Sequence, residues 1–263
     1  TLKFSKPFVY TVDRKELGQW QLRQLRKYKN ITIKTCALVN KIENNRVILS
    51  NKQKYKFKYL VGADGSSSFV RKHLGISTDN IGMAVQYVVP TKKYQEMEFF
   101  YEPKLFKAWY TWIFPHKNFV SIGCGSDPKY LNTSNLRAYF KIWLDRNHID
   151  VSKAKFEAFP ISCDYKGYKF GNVFLIGDAA GLASSFSGEG IYQALLSGEE
   201  VAKLILDKNY IPNLKEILKM NKRGNRIVKV LEFSGVFMSF LLYLIALSLR
   251  SKFIADKILK KLL

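Results

Sequence analysis

The sequence predicts a mixed α/β (α+β) chain: a layer built from strand–helix–strand units, an inserted antiparallel sheet, and a helical carboxyl-terminal tail. Three observations predict it. Two apolar runs, YLVGADG at 59–65 and NVFLIGD at 172–178, each end in small residues and an acid, as buried strands running into turns do. Between them, 81–125 breaks into short aromatic runs parted by turn residues. Beyond residue 205 the chain turns basic and then apolar, with no further strand-like run. The implied boundaries are 1–80 and 166–205 for the layer, 81–165 for the inserted sheet and 206–263 for the tail.

The elements follow in order. Residues 7–13, PFVYTVD, alternate as a strand does. From Arg14 to Arg26, Leu17, Trp20, Leu22 and Leu25 recur near helical spacing, which predicts an amphipathic helix. ITIKTCALVNKIE (31–43) is β-branched and strand-like; RVILS and KYKFKYLVGADG follow, divided by the turn-like SNKQ, and FVRKHLG reads as a helix. GMAVQYVVP, EMEFFYEP, AWYTWIFP and FVSIGCG read as antiparallel strands, with Pro103, Pro115, Lys117 and Asn118 in turns. A helix over 134–149 and a strand, KAKFEAFPIS, come next. GNVFLIGD returns to the first layer, and GIYQALLSGEEVAKLIL is its helix.

The 263 residues carry 43 basic and 21 acidic side chains, a net charge of +22. That balance favours acidic partners such as anionic lipid or phosphorylated substrates. No recognition motif accompanies it, so nucleic acid is not an expected partner. Cys36, Cys124 and Cys163 lie far apart without a CxxC, which argues against a disulfide framework or zinc site and for a reducing, cytoplasmic setting. His73, His116 and His148 share no ligand spacing, so no metal is expected. In the tail, KMNKRGNRIVKV is basic, 233–249 is uncharged, and basic residues resume at Arg250, Lys252, Lys257, Lys260 and Lys261. The uncharged run falls short of the ~20 residues of a spanning helix. It suits an interfacial helix that holds the protein peripherally on an anionic membrane through 222–263; the alternative is a buried helix of a soluble domain.

The residue types at the two strand ends carry chemistry. Gly177-Asp178 would stand at the carboxyl end of NVFLIG, where ligands of open α/β sheets sit. A carboxylate there accepts hydrogen bonds from hydroxyls, so a polyol chain suits it, and Ala179, Ala180 and Gly181 keep the approach open. Gly188 and Gly190 precede a helix whose free N–H groups favour an electron-rich carbonyl or developing anion. A reduced flavin has that anion on its pyrimidine side, so GDAAG followed by GEGI points to flavin. Asp64-Gly65 repeats the pattern at the other strand end: Gly65 permits a turn and close approach, and Arg71 can pair with a phosphate or with Asp64. The competing reading of both motifs is a tight turn before a capped helix.

Asp64-Gly65 and Gly177-Asp178 resemble the paired DG and GD motifs of the FAD-dependent flavoprotein hydroxylase superfamily. Within it, YTWIFP at 110–115, YTVDRKELGQWQL and GDAAGLASSFSGEGIYQALLSGEEVA resemble segments of the geranylgeranyl reductase family (digeranylgeranylglycerophospholipid reductase-like), over roughly residues 8–205. The resemblance implies a partial Rossmann-like FAD-binding layer with an inserted antiparallel substrate-binding sheet. It implies that Asp178 binds the ribityl chain of FAD, that Gly190 and Ile191 present backbone N–H groups to the isoalloxazine ring, that Arg14 approaches the flavin or its pyrophosphate, and that Leu38 touches the adenine side through its backbone. Asp64, Gly65, Gly177 and Gly188 complete the cofactor set. Tyr110, Trp112 and Phe114 would line an isoprenoid channel; the alternative for them is plain core.

The sequence departs from that family in three places. Gly18 stands where Asp is frequent, and Ser185 stands where Pro often precedes the GxG loop, which predicts a less rigid loop. No GxGxxG, the turn that holds a pyrophosphate, occurs anywhere; the expectation is a fragment lacking the preceding dinucleotide unit. The implied reaction is reduction of C=C bonds in a prenyl chain or lipid by hydride from reduced FAD. Cys124, Tyr110 and His116 are the candidate proton donors, none selected by spacing. The electron donor, NAD(P)H or a ferredoxin, is not specified by any residue. The alternatives are a flavin monooxygenase acting on a small aromatic or polyketide-like substrate, and a non-enzymatic lipid-associated module.

Overall fold

Asp13 starts the first helix by accepting hydrogen bonds from the backbone N–H groups of Lys15 and Glu16. Helix α1 then runs Arg14–Leu25 in the computed structural model, which describes residues 10–234 and 237–248. The helix is where its spacing places it, but none of its residues is buried, and Trp20 stays half exposed. The strand expected over 7–13 lies partly outside the described residues. Its described part, 10–13, joins no ladder; Thr11 Oγ1 instead donates to the carbonyl of Pro115 at 2.8 Å. The strand expected over 31–43 shortens to β1, Val39–Glu43, because Cys36 at φ 53° leaves the extended region just before it.

β1 turns through Asn44 and Asn45, both at positive φ, into β2, Arg46–Leu49. Two such central residues match the twist a tight hairpin needs. β3, Lys54–Lys56, completes an antiparallel meander in the order β1-β2-β3. The run KYKFKYLVGADG therefore divides between two sheets, since β4, Leu60–Gly62, leaves the meander and opens the second layer. Helix α2, Phe69–His73, follows.

The inserted sheet contains β5 (Ile81–Val89), β6 (Glu98–Phe100), β7 (Thr111–Pro115), β8 (Val120–Ser126) and β9 (Lys155–Ser162) in the antiparallel order β6-β7-β8-β5-β9. A short helix, α3 (Pro103–Phe106), replaces the turn expected at Pro103 and buries Leu105 and Phe106. Helix α4, Thr133–Arg146, is capped by Asn132 and buries Leu136, Phe140, Trp143 and Leu144 along one stripe. That stripe packs with Val85, Ile113, Ile122 and Cys124, so alternate strand residues form the core on one face of the sheet. The opposite face is thinned by glycine. A β-carbon on Gly123 would fall 2.2 Å from Trp112, and one on Gly82 or Gly125 would fall 2.5 or 2.2 Å from Trp109. Both indoles thus lie flat on backbone.

The chain returns to the layer through β10 (Lys169–Phe170) and β11 (Val173–Leu175). β11 pairs parallel with β4, the arrangement the α/β reading requires; β10, a two-residue strand, adds antiparallel on the far side. A 3₁₀ turn, Gly177–Ala180, leads toward helix α5, Ile191–Leu206. Helix α6, Lys215–Ser234, packs Leu214 and Ile217 among Leu175, Ala179 and Leu182, and its far end, Val228 and Leu231, against Trp109. Helix α7, Met238–Ser248, follows. The remainder of the tail, including the basic residues from Arg250 onward, lies outside the described residues. Among the described residues no helix is long and apolar enough to cross a membrane.

Candidate functional site

Asp178 sits in the 3₁₀ turn directly after β11, at the strand's carboxyl end. The turn is held from both sides: Gly177 N–H donates to Ser197 Oγ on α5 at 3.0 Å, and Gly181, at φ 77°, lies so close to the backbone of Asp164 that a β-carbon would fall 2.3 Å from it. Burial pushes the Asp178 carboxyl above its ordinary value, and the charge of Arg14, first residue of α1, pulls it back. The structure therefore couples two predicted residues far apart in sequence.

Gly190 is the N-cap of α5 and offers no side-chain cap, so the first N–H groups of that helix, including that of Ile191, have no side chain accepting at the cap. A β-carbon on Gly190 would fall 2.9 Å from Asp178 Oδ1, which places the carboxylate and the helix N-terminus side by side. Gln193, in the first turn of α5, is buried with its Oε1 unpartnered. Gly188, at φ 71°, shapes the loop before the helix. Tyr110 reaches that loop from the inserted sheet and donates to the carbonyl of Ser187 at 2.5 Å. Burial, above all, raises the Tyr110 hydroxyl far beyond its ordinary value.

The loop is less free than Ser185 implied. Ser185 Oγ hydrogen-bonds Asn225 Oδ1 on α6, Asn221 Nδ2 donates to Leu182 O at 3.0 Å, and Ser184 N–H donates to Glu189 O at 2.8 Å. Helix α6 supplies the restraint expected of a proline. Nothing in the local sequence links 185 to 225, so sequence reasoning missed it.

Asp64 accepts from Ser68 Oγ at 2.5 Å and from the N–H groups of Phe69 and Val70 at 2.7 and 3.1 Å, so its carboxylate caps α2. Gly65 is at φ 76°, as its turn requires, with open space where a β-carbon would stand. The carbonyl of Leu38 accepts from Ser50, while its side chain is exposed. Arg71 pairs with Asp164, not with Asp64. It is 2% exposed and donates to the carbonyls of Ala179, Ser77 and Asp164 and, at 3.3 Å, to Asp164 Oδ2. It pins α2 to the residue that follows Asp178.

Tyr110, Trp112 and Phe114 share the face of the sheet opposite α4, in a row whose neighbours stand 5.9 and 5.8 Å apart, with Phe99 against both ends. Beneath it runs a polar chain unseen in the sequence: Trp112 Nε1 donates to Ser121 Oγ, Ser121 to Gln86 Oε1, and Gln86 Nε2 to Glu157. Residues 86, 121 and 157 alternate outward on three strands, a signal legible only once register is known. Of the three proton-donor candidates, Cys124 points into the α4 side of the sheet and His116 stacks on Phe119 in the β7–β8 turn. Tyr110 alone of the three touches the loop. Among the described residues no cluster of His, Cys, Asp or Glu is placed to hold a metal ion.

A glycine cradle beside a half-buried carboxylate, an uncapped helix N-terminus and an orphaned amide oxygen in its first turn fit the ribityl and ring half of FAD. A parallel layer ending in that turn, with an antiparallel sheet inserted, is the architecture of FAD-dependent hydroxylases. The Pseudomonas aeruginosa PqsL structure in complex with 2-aminobenzoylacetate superposes with a TM-score of 0.60 at 16% identity, covering 85% of this chain and 72% of that one. A geranylgeranyl bacteriochlorophyll reductase-like structure from Thermoplasma acidophilum gives 0.55 at 20% identity, covering 77% and 61%. These likenesses establish the fold alone.

The chain belongs to the FAD binding domain family, whose model matches residues 40–203. It is 31% identical over 163 residues to the chloroplastic geranylgeranyl diphosphate reductase of Oryza sativa subsp. japonica, covering 59% of this chain and 35% of that protein. It is 24% identical over 226 residues to the digeranylgeranylglycerophospholipid reductase of Methanocaldococcus jannaschii, covering 78% and 58%. The chain thus spans from about a third to somewhat over half of the length of these relatives.

Proposed function

We propose that the chain serves an FAD-dependent oxidoreductase that reduces carbon–carbon double bonds of a prenyl (geranylgeranyl) chain or lipid. The observation that carries it is Asp178 set beside the uncapped N-terminus of α5, on a loop tied to the aromatic row by Tyr110. Asp178 accepts from the ribityl hydroxyls, Gly190 and Ile191 offer N–H groups to the ring's carbonyl edge, and Arg14 adds positive charge at the same place. FAD, when bound, supplies hydride chemistry. The chain's own residues bind, orient and keep water away. Tyr110, Trp112 and Phe114 offer an apolar wall to an isoprenoid, and Tyr110, its hydroxyl pushed up by burial, keeps its proton at the edge of the loop. The names of the rice and archaeal relatives support the prenyl class of substrate.

We also infer a reducing, cytoplasmic setting, with the tail holding the protein peripherally on the membrane.

The test titrates FAD onto the chain alone and onto the chain supplied with a separate GxGxxG dinucleotide unit, followed by flavin absorbance. A geranylgeranyl lipid is then added with reductant. Flavin uptake that Asp178→Ala abolishes, with a gain of two hydrogens per reduced bond, is the expected result. A gain of oxygen by an aromatic substrate would replace reduction with monooxygenation, and no uptake in either form would sink the enzyme reading.

A further inference from the structure

We infer that the outer faces of α6 and α7 form a docking surface for an anionic lipid bilayer, with α6 carrying the headgroup contacts and α7 the insertion. The surface deepens the peripheral placement proposed above, and the argument for it uses no flavin or substrate.

On α6, Lys215, Lys219, Lys222, Arg226 and Lys229 are all exposed and recur at alternating steps of four and three. Such steps put side chains on one face, so the cations form a single row. The next step of four reaches Phe233, which is 94% exposed. The apolar surface then continues: Phe237 is 71% exposed, Phe240 61% and Tyr243 59%. A row of cations that runs out into bare aromatic side chains is the pattern of a helix lying in the headgroup boundary.

The other face of α6 fixes its orientation. Ile217, Val228 and Leu231 are buried, Asn221 and Asn225 hold the 182–185 loop, and Glu232 accepts from the N–H of Ala108 at 3.0 Å. Of the acids on α6, Glu232 is turned inward, so Glu216 is the exposed one that opposes the row. Charge decides the occupant. Anionic headgroups match the cations, and the acyl boundary matches the aromatic residues. Nucleic acid would satisfy the first and leave the second in water. A second copy docked face to face would set two rows of like charge against each other.

The test is flotation of the chain, without flavin, with vesicles of phosphatidylcholine alone and of phosphatidylcholine with phosphatidylglycerol at about a third. The expected result is binding to the anionic vesicles that weakens with salt. It falls at least about tenfold in the triple reversal Lys222→Glu, Arg226→Glu, Lys229→Glu, given the roughly fivefold contribution of each cation. Phe237→Ser with Phe240→Ser removes the part that survives high salt. Because every substituted side chain is exposed, circular dichroism of both variants should match the parent. Equal partition onto both vesicle types overturns the inference. So does displacement from vesicles by RNA at equal charge, or sedimentation as a dimer that protects Phe237. Since no flavin enters the assay, these outcomes do not depend on the reductase reading.

Discussion

The hydroxyl of Tyr110 and the carbonyl of Ser187, 77 residues apart, join the inserted sheet to the loop in front of α5. It is a buried, neutral hydrogen bond, whose net worth is about 1 kcal/mol. Tyr110→Phe keeps the edge-to-face ring contact with Trp112 and loses the tether. The expected result is faster backbone hydrogen exchange over 184–190, with exchange in β8 unchanged. Equal exchange in the loop of parent and variant would show that α6 alone holds it.

Asp178 and Arg14 carry a pH dependence. Burial raises the Asp178 carboxyl above its ordinary 3.8, and Arg14 opposes the rise. A carboxyl whose folded pKa exceeds its unfolded one binds more protons when folded, so its contribution is best below the unfolded pKa and is lost as pH rises through the folded value. Asp178→Asn should therefore flatten the fall in urea midpoint that the parent shows above pH 3.8. Arg14→Ala should carry that fall to higher pH. Parallel curves for parent and Asp178→Asn would contradict the assignment.

Arg71 is a polar side chain whose removal should be costly. Its guanidinium serves three carbonyls and Asp164 from a buried position. Arg71→Met leaves Asp164 with Lys166 as its remaining ion-pair partner and strands the carbonyls of Ala179 and Asp164, while Ser77 O keeps Lys166, at about 3–5 kcal/mol. Arg71→Lys should rescue little, because an ammonium carries its donors on one nitrogen and cannot span the acceptors that the guanidinium reaches from two. Urea denaturation of both variants measures this, and full rescue by lysine would reduce Arg71 to a point charge.

The three thiols should separate cleanly. Cys36 is exposed, while Cys124 and Cys163 are buried. Burial raises the Cys124 thiol well above its ordinary value; burial first, then the charge of Asp178, pushes Cys163 up to about 12. Thiolate is the reactive form. Under native conditions near pH 8, alkylation followed by mass spectrometry should therefore find Cys36 alone modified. Label on Cys163 would mean that the core around the Gly-Asp turn opens readily.

The class of the fold was legible because it is written in period and punctuation. Apolar runs that end in Gly-Asp or Asp-Gly pointed to β4 and β11, and short aromatic runs at roughly regular intervals to β5, β7 and β8. Local signals failed where pairing decides. KYKFKYLVG reads as one strand and divides between two sheets, and ITIKTCAL finds no partner. Within the site, Asp178, Gly188 and Gly190 were visible as chemistry-bearing types at short spacing. The cap role of Asp64 and the pairing of Arg71 with Asp164 were not, since a carboxylate before a helix suits a ligand or a cap equally well and an arginine does not name a partner 93 residues away. Ser185 shows the same limit: its partner, Asn225, is brought to it by the packing of α6.

Trp109 lies over Gly82 and Gly125, with no room for a methyl group at either. The three positions are therefore sterically coupled. With the indole in place, an alanine at 82 or 125 clashes; with a smaller residue at 109, either alanine fits and glycine leaves a hollow. A lineage could exchange one arrangement for the other only by crossing a less fit intermediate. The same hollow, opened deliberately, would give an engineer a dry recess in the sheet where Trp109 packs against α6.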